Sequence, residues 1–543
     1  MIGAQTGIMS NNRKLNVFLP LLFAIVLALG MYLGHKMPGA QSGSTVLFNR
    51  GSRSALQETM DLIKVKYVDT LKVDDLQQEA IDGLLSHLDP HSIYIPPTNL
   101  AEVNEDLEGN FEGIGVEFNI TDDTVNVVAV LAGGPSEAAG VLTGDKIIKV
   151  NDSLLVTGSG ITSDKIRKLL RGPKGSEVKV TMLRRNKLVD IRIKRGVIPL
   201  YSVDASYLIT PKIGYIKISK FAATTYQEFM DALRKLQRQG MEKLVIDLRQ
   251  NPGGFLDAAT RIADEVLDGN KLILYTKGKS YPRTDYKCEK PGLFEKGALA
   301  VLTDEGSASA SEILAGAIQD WDRGVIIGRR TFGKGLVQEQ FDLSNGGALR
   351  LTVARYYIPS GRSIQKSYSN GREAYDEDIM NRYTHGELLN KDSIKQADTI
   401  PYKTAKGRVV YGGGGITPDI FIPFDTSRFS AVLTEMYTRN TFSNFAYKYY
   451  NTHQDVLNRY KDASGFTRQF TVTPELYNDF LSYARKDSIR TERVTAKDET
   501  EIRDRIKTML ARQLYRTEGF YEVINAGDPL VKRAVTELEK AKE

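Results

Sequence analysis

Four short apolar runs constrain the fold of the central part of the chain more than any other feature. They are KIGYIKIS (212–219), KLVIDL (243–248), ALAVLTD (298–304) and GVIIG (324–328). Such near-continuous runs are typical of strands that are buried on both faces of a sheet. Helical patterns, TYQEFMDALRKLQRQG and SEILAGAIQDW, separate successive runs. The alternation predicts an α/β core built around a mainly parallel sheet.

The length of 543 residues exceeds what one hydrophobic core usually serves, so we expect a multidomain chain. Helical spacing that is broken near Val68–Thr70 predicts a small helical segment within 38–104. Short alternating stretches punctuated by glycine predict a separate α+β domain over 105–196. The α/β core then covers 197–426, and a charged helical region covers 427–543.

Two stretches carry no motif that indicates a function. Residues 366–408 within the core are polar, and we interpret them as an insertion or an extended hairpin on the surface. Mixed-sign runs such as RKDSIRTERVTAKDETEIRDRIK in the C-terminal region are interpreted as solvated helix faces.

A run of 20 uncharged residues, Leu15–Gly34, follows Arg13 and Lys14. As a helix it would extend about 30 Å, which matches the hydrocarbon thickness of a bilayer. The basic flank fits a retained membrane anchor or a cleaved secretory signal, and either one places the remaining chain outside the cytoplasm. A buried core helix is the alternative, although the run is apolar on every face. We therefore expect residues 1–37 to hold a cytoplasmic stub and a signal or anchor helix.

Composition argues against several function classes. A net charge of +6 spread over the whole chain indicates no polyanionic partner, so nucleic acid binding is not expected. Cys288 is the only cysteine, which rules out an internal disulfide and a cysteine metal cluster. Five scattered histidines give little support for a zinc site. We expect no metal, nucleotide or organic cofactor.

The stretch GRRTFGKG (328–335) has the spacing of a phosphate-binding loop, but Gly335 replaces the hydroxyl residue that would hold magnesium. GLVQEQFDL follows with the alternation of a strand, whereas a phosphate loop needs a helix there. Nucleotide hydrolysis is therefore disfavoured. If Lys334 is buried between its two glycines, its pKa can fall toward neutrality and the amine can act as a base.

Such a base needs a nucleophile, and TDEGSASASEILAGAIQDW (303–321) offers serines at a strand-to-helix turn. A serine at a helix N-terminus lies beside unpaired N–H groups that can hold an oxyanion. The alternative is structural, because Ser309 and Glu312 also fit a helix capping box. Spacing alone does not establish contact between Ser309 and Lys334.

A second turn, Asn251-Pro252-Gly253-Gly254, lies between another predicted strand and helix. Because the carboxyl ends of parallel strands gather at one edge of a sheet, this turn is expected near the serine turn. Paired glycines allow a backbone N–H to point at a developing oxyanion. The same four residues also fit an ordinary tight turn.

Four separated motifs, DLRQNPGG, GSASASEILAGAIQDW, FGKGLVQ and YGGGGITPD, resemble those of the carboxyl-terminal processing, or tail-specific, serine proteases. The resemblance covers about residues 55–425. It implies a catalytic serine and lysine without a histidine, with Ser309 as the nucleophile and Lys334 as the general base. Gln338, four residues past the lysine, would share a strand face with Lys334 and orient its amine.

Further residues follow from the same resemblance. The backbone N–H groups of Ala310 and Gly254 would form the oxyanion hole. The neighbouring Ser307 and Ser311 would be dispensable. Some relatives use an acidic residue in the helix after the serine, and Asp320 matches it, although an exposed helix aspartate explains Asp320 equally well.

The resemblance also identifies the domain at 105–196 as a PDZ domain. Its carboxylate-binding loop would consist of Gly113, Ile114, Gly115 and Val116, beside which a peptide adds as an extra strand. Arg171 matches an arginine that couples peptide binding to the active site in relatives. The alternative is that Arg171 is a solvated surface arginine.

The expected protein is thus a serine endopeptidase of the bacterial cell envelope, on the periplasmic side of the inner membrane. Its expected partners are substrates with free C-termini, the membrane through the N-terminal helix, and a second copy or an adaptor protein. The competing hypotheses are a catalytically silent PDZ scaffold on the same fold and, more remotely, a phosphate-loop nucleotide hydrolase.

Overall fold

The computed structural model describes residues 54–541 apart from 122, 132, 155–160, 396–398 and 427–429, and it also describes 24, 26, 27 and 29. The apolar run at 15–34 therefore lies outside the described residues, except for four helical positions. Within the described ranges no helix has the length and apolar character needed to cross a bilayer.

The chain divides into two compact units, residues 1–80 and 81–543. The first unit contains helix α1 (Ala55–Lys66), which Ser54 caps by accepting a hydrogen bond from the backbone N–H of Gln57. Helix α2 (Val73–Leu85) follows after a short break. The prediction of two helices separated near Val68–Thr70 is confirmed.

The remaining helices run through the second unit. In chain order they are α3 (Pro97–Glu108), α4 (Pro135–Ala138), α5 (Ser163–Leu170), α6 (Thr225–Arg238), α7 (Leu256–Val266), α8 (Ala310–Asp320), α9 (Arg372–Asp376), α10 (Asp378–Thr384), α11 (Ala431–Thr438), α12 (Thr441–Thr452), α13 (Gln454–Leu457), α14 (Ala463–Gln469), α15 (Pro474–Lys486), α16 (Ala496–Gly527) and α17 (Pro529–Lys540).

The strands are short and fall into several sheets. In chain order they are β1 (Ile93–Ile95), β2 (Asn110–Gly113), β3 (Val116–Thr121), β4 (Thr124–Val130), β5 (Lys146–Val150), β6 (Ser153–Leu154), β7 (Glu177–Arg184), β8 (Lys187–Lys194), β9 (Gly196–Pro199), β10 (Val203–Thr210), β11 (Ile213–Ile218), β12 (Lys243–Asp247), β13 (Leu272–Lys277), β14 (Thr284–Lys287), β15 (Leu299–Thr303), β16 (Val325–Gly328), β17 (Leu336–Asp342), β18 (Ala348–Tyr357), β19 (Tyr402–Lys403), β20 (Val409–Val410) and β21 (Ile420–Phe421).

The central sheet has the order β10-β11-β12-β15-β16-β21. β10 is antiparallel to β11, and every other pair in this sheet is parallel. The four apolar runs form β11, β12, β15 and β16, so the predicted α/β core is confirmed. Helices α6, α7 and α8 pack on one face of the sheet. The C-terminal helix α17 covers the other face with Leu530, Val531, Ala534 and Leu538.

A second, antiparallel sheet stands beside this core. It has the order β1-β18-β13-β14, and β17 pairs with the long β18. Because β17 begins at Leu336, the chain after Lys334 is a strand, as predicted. A phosphate loop would require a helix at this position.

The region at 105–196 forms its own sheet, ordered β3-β4-β5-β7-β8, with β6 beside β5. Thirteen buried residues form a separate apolar core, to which α5 contributes Ile166 and Leu170. The predicted small domain of short strands with one or two helices is confirmed.

The polar stretch at 366–408 makes buried contacts with the core that its polar composition did not predict. It contains α9, α10, a short helical turn at Lys391–Ser393 and the β19-β20 hairpin. Arg382 is 4% exposed and donates hydrogen bonds to the carbonyl oxygens of Thr331 and Phe332. Most described residues of the stretch are exposed or half-buried and a hairpin is present, as expected, but Arg382 also braces the loop that leads to Lys334.

The C-terminal region also buries more than its charges indicated. Helices α11 to α16 share an apolar core that includes Ile502, Ile506 and Leu510. These three residues are spaced at four-residue intervals on α16, which places them on one face of the helix. The part of the charged run that lies on α16 therefore buries one apolar face.

Candidate active site

Ser309 lies at the turn between β15 and α8, where it is the N-cap residue of the helix. Its φ of 53° and ψ of −113° are unusual for a residue with a side chain. Such a conformation costs on the order of 1–3 kcal/mol and persists only where the surroundings impose it. Here the backbone N–H of Ser309 donates to Glu312 Oε2 over 2.9 Å, as in a capping box.

Lys334 follows Gly333, whose φ of 93° favours glycine. The Nζ of Lys334 donates a hydrogen bond to Gln338 Oε1 over 2.9 Å. Burial and, to a smaller extent, the Arg350 charge lower the pKa of Lys334 to about 8, and the Asp89 and Glu312 charges partly oppose this shift. Such an amine is partly unprotonated near neutral pH and can accept a proton.

Glu312 joins the serine turn to the lysine loop. Its Oε2 accepts from the backbone N–H groups of both Ser309 (2.9 Å) and Lys334 (2.8 Å). Its Oε1 accepts from the N–H of Gly333 (2.7 Å) and the hydroxyl of Thr331 (2.5 Å). The Glu312 carboxylate has no solvent exposure. These four donors therefore supply the hydrogen bonds that water would otherwise make to it.

Tyr356 of β18 makes a second link between the two loops. Its hydroxyl lies 2.6 Å from the carbonyl oxygen of Lys334 and 3.1 Å from that of Ser309. The ring is almost fully buried, at 1% exposure. The structure therefore places the backbones of Ser309 and Lys334 around the same two side chains, Glu312 and Tyr356, a proximity that spacing alone could not establish.

The glycine turn packs directly against the serine. A side-chain carbon on Gly253 would lie 2.7 Å from Ser309 Cβ, which excludes any larger residue. The N–H of Gly253 donates to Asn251 Oδ1 over 2.9 Å. In the described part of the chain, the N–H groups of Gly254 and Ala310 have no hydrogen-bond acceptor. These two donors are therefore free to bind an anionic oxygen.

The two other serines of the motif have structural contacts. The hydroxyl of Ser307 donates to the carbonyl oxygen of Leu248 over 2.8 Å. That of Ser311 donates to the carbonyl oxygen of Asn251 over 3.0 Å. Both serines are fully buried and tie the serine turn to the glycine turn.

Asp320 lies at the opposite end of α8 from Ser309 and is 3% exposed. Its carboxylate accepts from Arg362 over 2.9 Å and from the N–H of Ser360 over 2.9 Å. The alternative of an exposed helix aspartate is therefore wrong. A supporting role in catalysis stays a prediction, since its side-chain contacts are with Arg362 and Ser360 and not with Lys334.

Sequence reasoning missed a second layer behind Lys334. Gln338 Nε2 donates to the carbonyl oxygen of His91, and His91 Nε2 lies 2.8 Å from the hydroxyl of Tyr375. Burial and the Lys334 charge lower the pKa of His91 to about 4, so this ring is neutral at physiological pH. The segment LDPHS at 88–92 gave no periodic signal, because these contacts join residues far apart in the chain.

Three residues of the predicted peptide loop, Ile114, Gly115 and Val116, line a groove of about 370 Å³ on the small domain, whereas Gly113 is not part of its lining. Phe111 and Leu170 of α5 also line the groove. Ile114 is almost fully buried, so the groove has an apolar floor.

Arg171 also lines this groove. Its guanidinium pairs with Glu105 over 2.7 Å and lies 4.5 Å from the centre of the Phe111 ring. The interpretation of Arg171 as a freely solvated surface residue is not what the structure shows. Its proposed regulatory role stays a prediction.

Comparison with known proteins identifies the domains. The model of peptidase family S41 matches residues 212–373, and a PDZ domain model matches 113–194. A family of unknown function matches 432–516 in the C-terminal region.

Two curated relatives align over more than half of the chain. The carboxy-terminal-processing protease of Bartonella bacilliformis is 35% identical over 314 residues, which are 57% of this chain and 71% of the relative. A probable CtpA-like serine protease of Staphylococcus aureus is 34% identical over 321 residues, which are 58% of this chain and 64% of that protein. Among solved structures, the photosystem II D1 C-terminal processing protease is 26% identical, covering 68% of this chain and 86% of its own with a TM-score of 0.35.

The α/β core with its S41 match and the attached PDZ domain define a serine-type peptidase. The chain belongs to the family of carboxy-terminal processing serine proteases that carry a PDZ domain.

Proposed function

We propose that the chain is an endopeptidase with a Ser-Lys dyad, in which Ser309 is the nucleophile and Lys334 the general base. The observation that carries this proposal is the shared acceptor Glu312 Oε2, which holds the backbones of both residues. A lysine with a pKa of about 8 can then take the proton of the serine hydroxyl.

The reaction follows from these groups. Neutral Lys334 accepts the Ser309 hydroxyl proton while the serine oxygen bonds to the peptide carbonyl carbon. The resulting oxyanion is bound by the N–H groups of Gly254 and Ala310, which have no acceptor among the described residues. Protonated Lys334 then gives its proton to the leaving amine as the C–N bond breaks. Water repeats the sequence on the acyl-enzyme and releases the acid product.

Gln338 is assigned to orientation of the base. Its amide oxygen holds the Lys334 amine, and its amide nitrogen is held by the His91 carbonyl oxygen. The amine is therefore restrained by one fixed acceptor. A neutral amide restrains the amine without adding the negative charge that would raise the pKa of Lys334.

Deprotonation of Glu312 and deprotonation of Lys334 should both increase activity as the pH rises. Burial raises the pKa of Glu312 to about 7, although the four hydrogen-bond donors lower it. Above that pH the carboxylate form holds both loops, and above about pH 8 Lys334 is mostly neutral. We expect activity to rise with pH through this range.

We assign substrate selection to the PDZ groove, where the backbone at Gly113–Val116 would bind the terminal carboxylate of a protein tail. The exposed edge of β3 would accept the tail as an added strand. Substrates are proposed to be proteins of the cell envelope, since the apolar run at 15–34 with its basic flank fits a signal or anchor. A homodimer or an adaptor protein is proposed as a further partner.

A serine-reactive fluorophosphonate probe separates this proposal from a catalytically silent PDZ scaffold. The purified chain should be labelled on Ser309, as identified by peptide mass spectrometry, and should cut a peptide with a free C-terminus. Ser309→Ala and Lys334→Met should abolish both signals. Ser369→Ala, at an exposed position, is the matched control, and it should still be labelled. Failure of the unaltered chain to react with the probe or the peptide would favour the scaffold.

A further inference from the structure

The PDZ groove has one lining residue that comes from outside the PDZ domain. Arg512, on helix α16 of the C-terminal region, lies at the groove with Val116 and Arg171. The family model for the PDZ domain ends at 194, and Arg512 falls within the matched family of unknown function at 432–516. The C-terminal region therefore takes part in the site where a tail is proposed to bind.

Two contacts of the residues that follow Arg512 hold this part of α16 against the PDZ domain and the protease core. One turn further along α16, Arg516 donates to the carbonyl oxygen of Val130 over 2.5 Å. Val130 is the direct partner of Val116 in the sheet, at the start of the strand that the tail would join. Glu518 then pairs with Lys235 of the protease core over 3.1 Å.

A local distortion of α16 accompanies these contacts. Tyr515 and Arg516 have non-helical backbone angles, with a φ of 60° at Arg516. Gly519 accommodates the distortion, because a side-chain carbon there would lie 2.7 Å from Tyr515 Cβ. The helix is bent where it passes the groove, and Arg512 lies just before the bend.

Charge pairing distinguishes Arg512 from the other two arginines of the groove. Arg167 pairs with Asp164, and Arg171 pairs with Glu105. Arg512 is exposed, and no acidic partner for it lies within the described ranges. An unpaired guanidinium at a peptide groove is suited to bind a carboxylate.

We propose that Arg512 binds an acidic side chain of the tail in the PDZ groove, so that the C-terminal region adds selection for acidic tails. This inference rests on the proposed tail recognition by the PDZ domain. A partly exposed ion pair is weak, so removing the guanidinium should lower affinity by about three- to fivefold. The effect should shrink at high salt, because exposed charges are screened.

The test uses the full chain with Ser309→Ala, so that tails are bound without being cut. Fluorescent peptides with a free C-terminus would carry Glu, Gln or Lys at each position before the terminal residue in turn. Arg512→Ala should weaken binding of one Glu peptide about three- to fivefold and leave its Gln counterpart unchanged. Arg512→Glu should reverse the preference, favouring the Lys peptide. Arg533→Ala, on α17 away from the groove, is the matched control.

The outcomes separate the inference from the function beneath it. Arg512→Ala could weaken binding of the Glu and Gln peptides equally and have no effect on peptides with an amidated C-terminus. In that case Arg512 binds the terminal carboxylate, and the acidic-tail proposal is overturned. If all peptides bind equally to both proteins, Arg512 has no role but tail recognition stands. If no peptide binds with either a free or an amidated terminus, the proposed tail recognition fails together with the inference.

Discussion

The active centre and the PDZ groove hold their charged groups in opposite ways. At the active centre, Glu312 is fully buried and satisfied by four donors, and Lys334 is buried enough to lower its pKa to about 8. In the groove, Arg171 pairs with Glu105 while both remain partly exposed, and Arg512 is exposed. Buried charges interact strongly because water does not screen them, whereas exposed pairs contribute little.

Because of this contrast, we expect single substitutions to have effects of different size at the two sites. Changes at the active centre should affect chemistry by orders of magnitude, and changes in the groove should affect substrate affinity by small factors.

Lys334→Met should reduce kcat/KM for a tail-bearing peptide by roughly a thousandfold or more, because the variant removes the base but keeps an apolar stem of similar length. Thermal unfolding should show no loss of stability, since the variant no longer buries an amine. Lys532→Met, at an exposed position of α17, is the control. Retention of more than a tenth of the activity would contradict the assignment of Lys334 as the general base.

Glu312→Gln should reduce kcat by about 10- to 100-fold and destabilise the fold by about 1–3 kcal/mol. An amide has only one acceptor oxygen, so it cannot satisfy donors from both Ser309 and Thr331. Chemical denaturation and steady-state kinetics would measure both effects. Glu339→Gln, exposed on β17, serves as the control. An unchanged kcat in the Glu312 variant would mean that the carboxylate is not needed to hold the two loops.

Gln338→Ala should lower kcat by about tenfold with little change in KM, because the amine loses its orienting partner. Gln338→Glu restores an acceptor but adds a negative charge beside the amine, which should raise the pKa of Lys334. The midpoint of the kcat–pH profile should therefore move upward in the Glu variant. A fall in kcat without any movement of that midpoint would assign Gln338 a purely structural role.

Arg171→Ala should raise KM by about two- to fivefold and leave kcat unchanged, as expected for a partly exposed ion pair. Glu105→Gln frees the guanidinium without removing it and is the matched comparison. If Arg171 contacts the tail, the Glu105 variant should bind the tail more tightly. A loss of kcat in the Arg171 variant would instead support coupling between the groove and the active centre.

Much of the central fold could be predicted from the sequence because local patterns determine it. The strands β11, β12, β15 and β16 coincide with continuous apolar runs. Such runs indicate strands that are buried on both faces of a sheet. The strand after Lys334 followed from its alternation. The motifs likewise predicted which residues would surround the serine turn.

The supporting contacts could not be predicted, because they depend on tertiary pairing. Glu312 was recognised only as half of a capping box, whereas the structure shows that it also binds the lysine loop. His91 meets Gln338 across 247 positions of sequence, and Arg382 is buried although its surroundings in sequence are polar. In α16, frequent charges obscured Ile502 and Ile506, which are fully buried.

The pH dependence of labelling at Ser309 tests the central claim most directly. The rate of fluorophosphonate attachment would be measured on the full chain across the pH range in which the chain stays folded. The same measurement would be made on Lys334→Met. A Lys334 pKa of about 8 predicts a rate that rises through a midpoint near pH 8 and then levels, with no such rise in the variant. A midpoint near the ordinary pKa of a lysine, about 10.4, or a profile that Lys334→Met leaves unchanged, would contradict the claim that Lys334 activates Ser309.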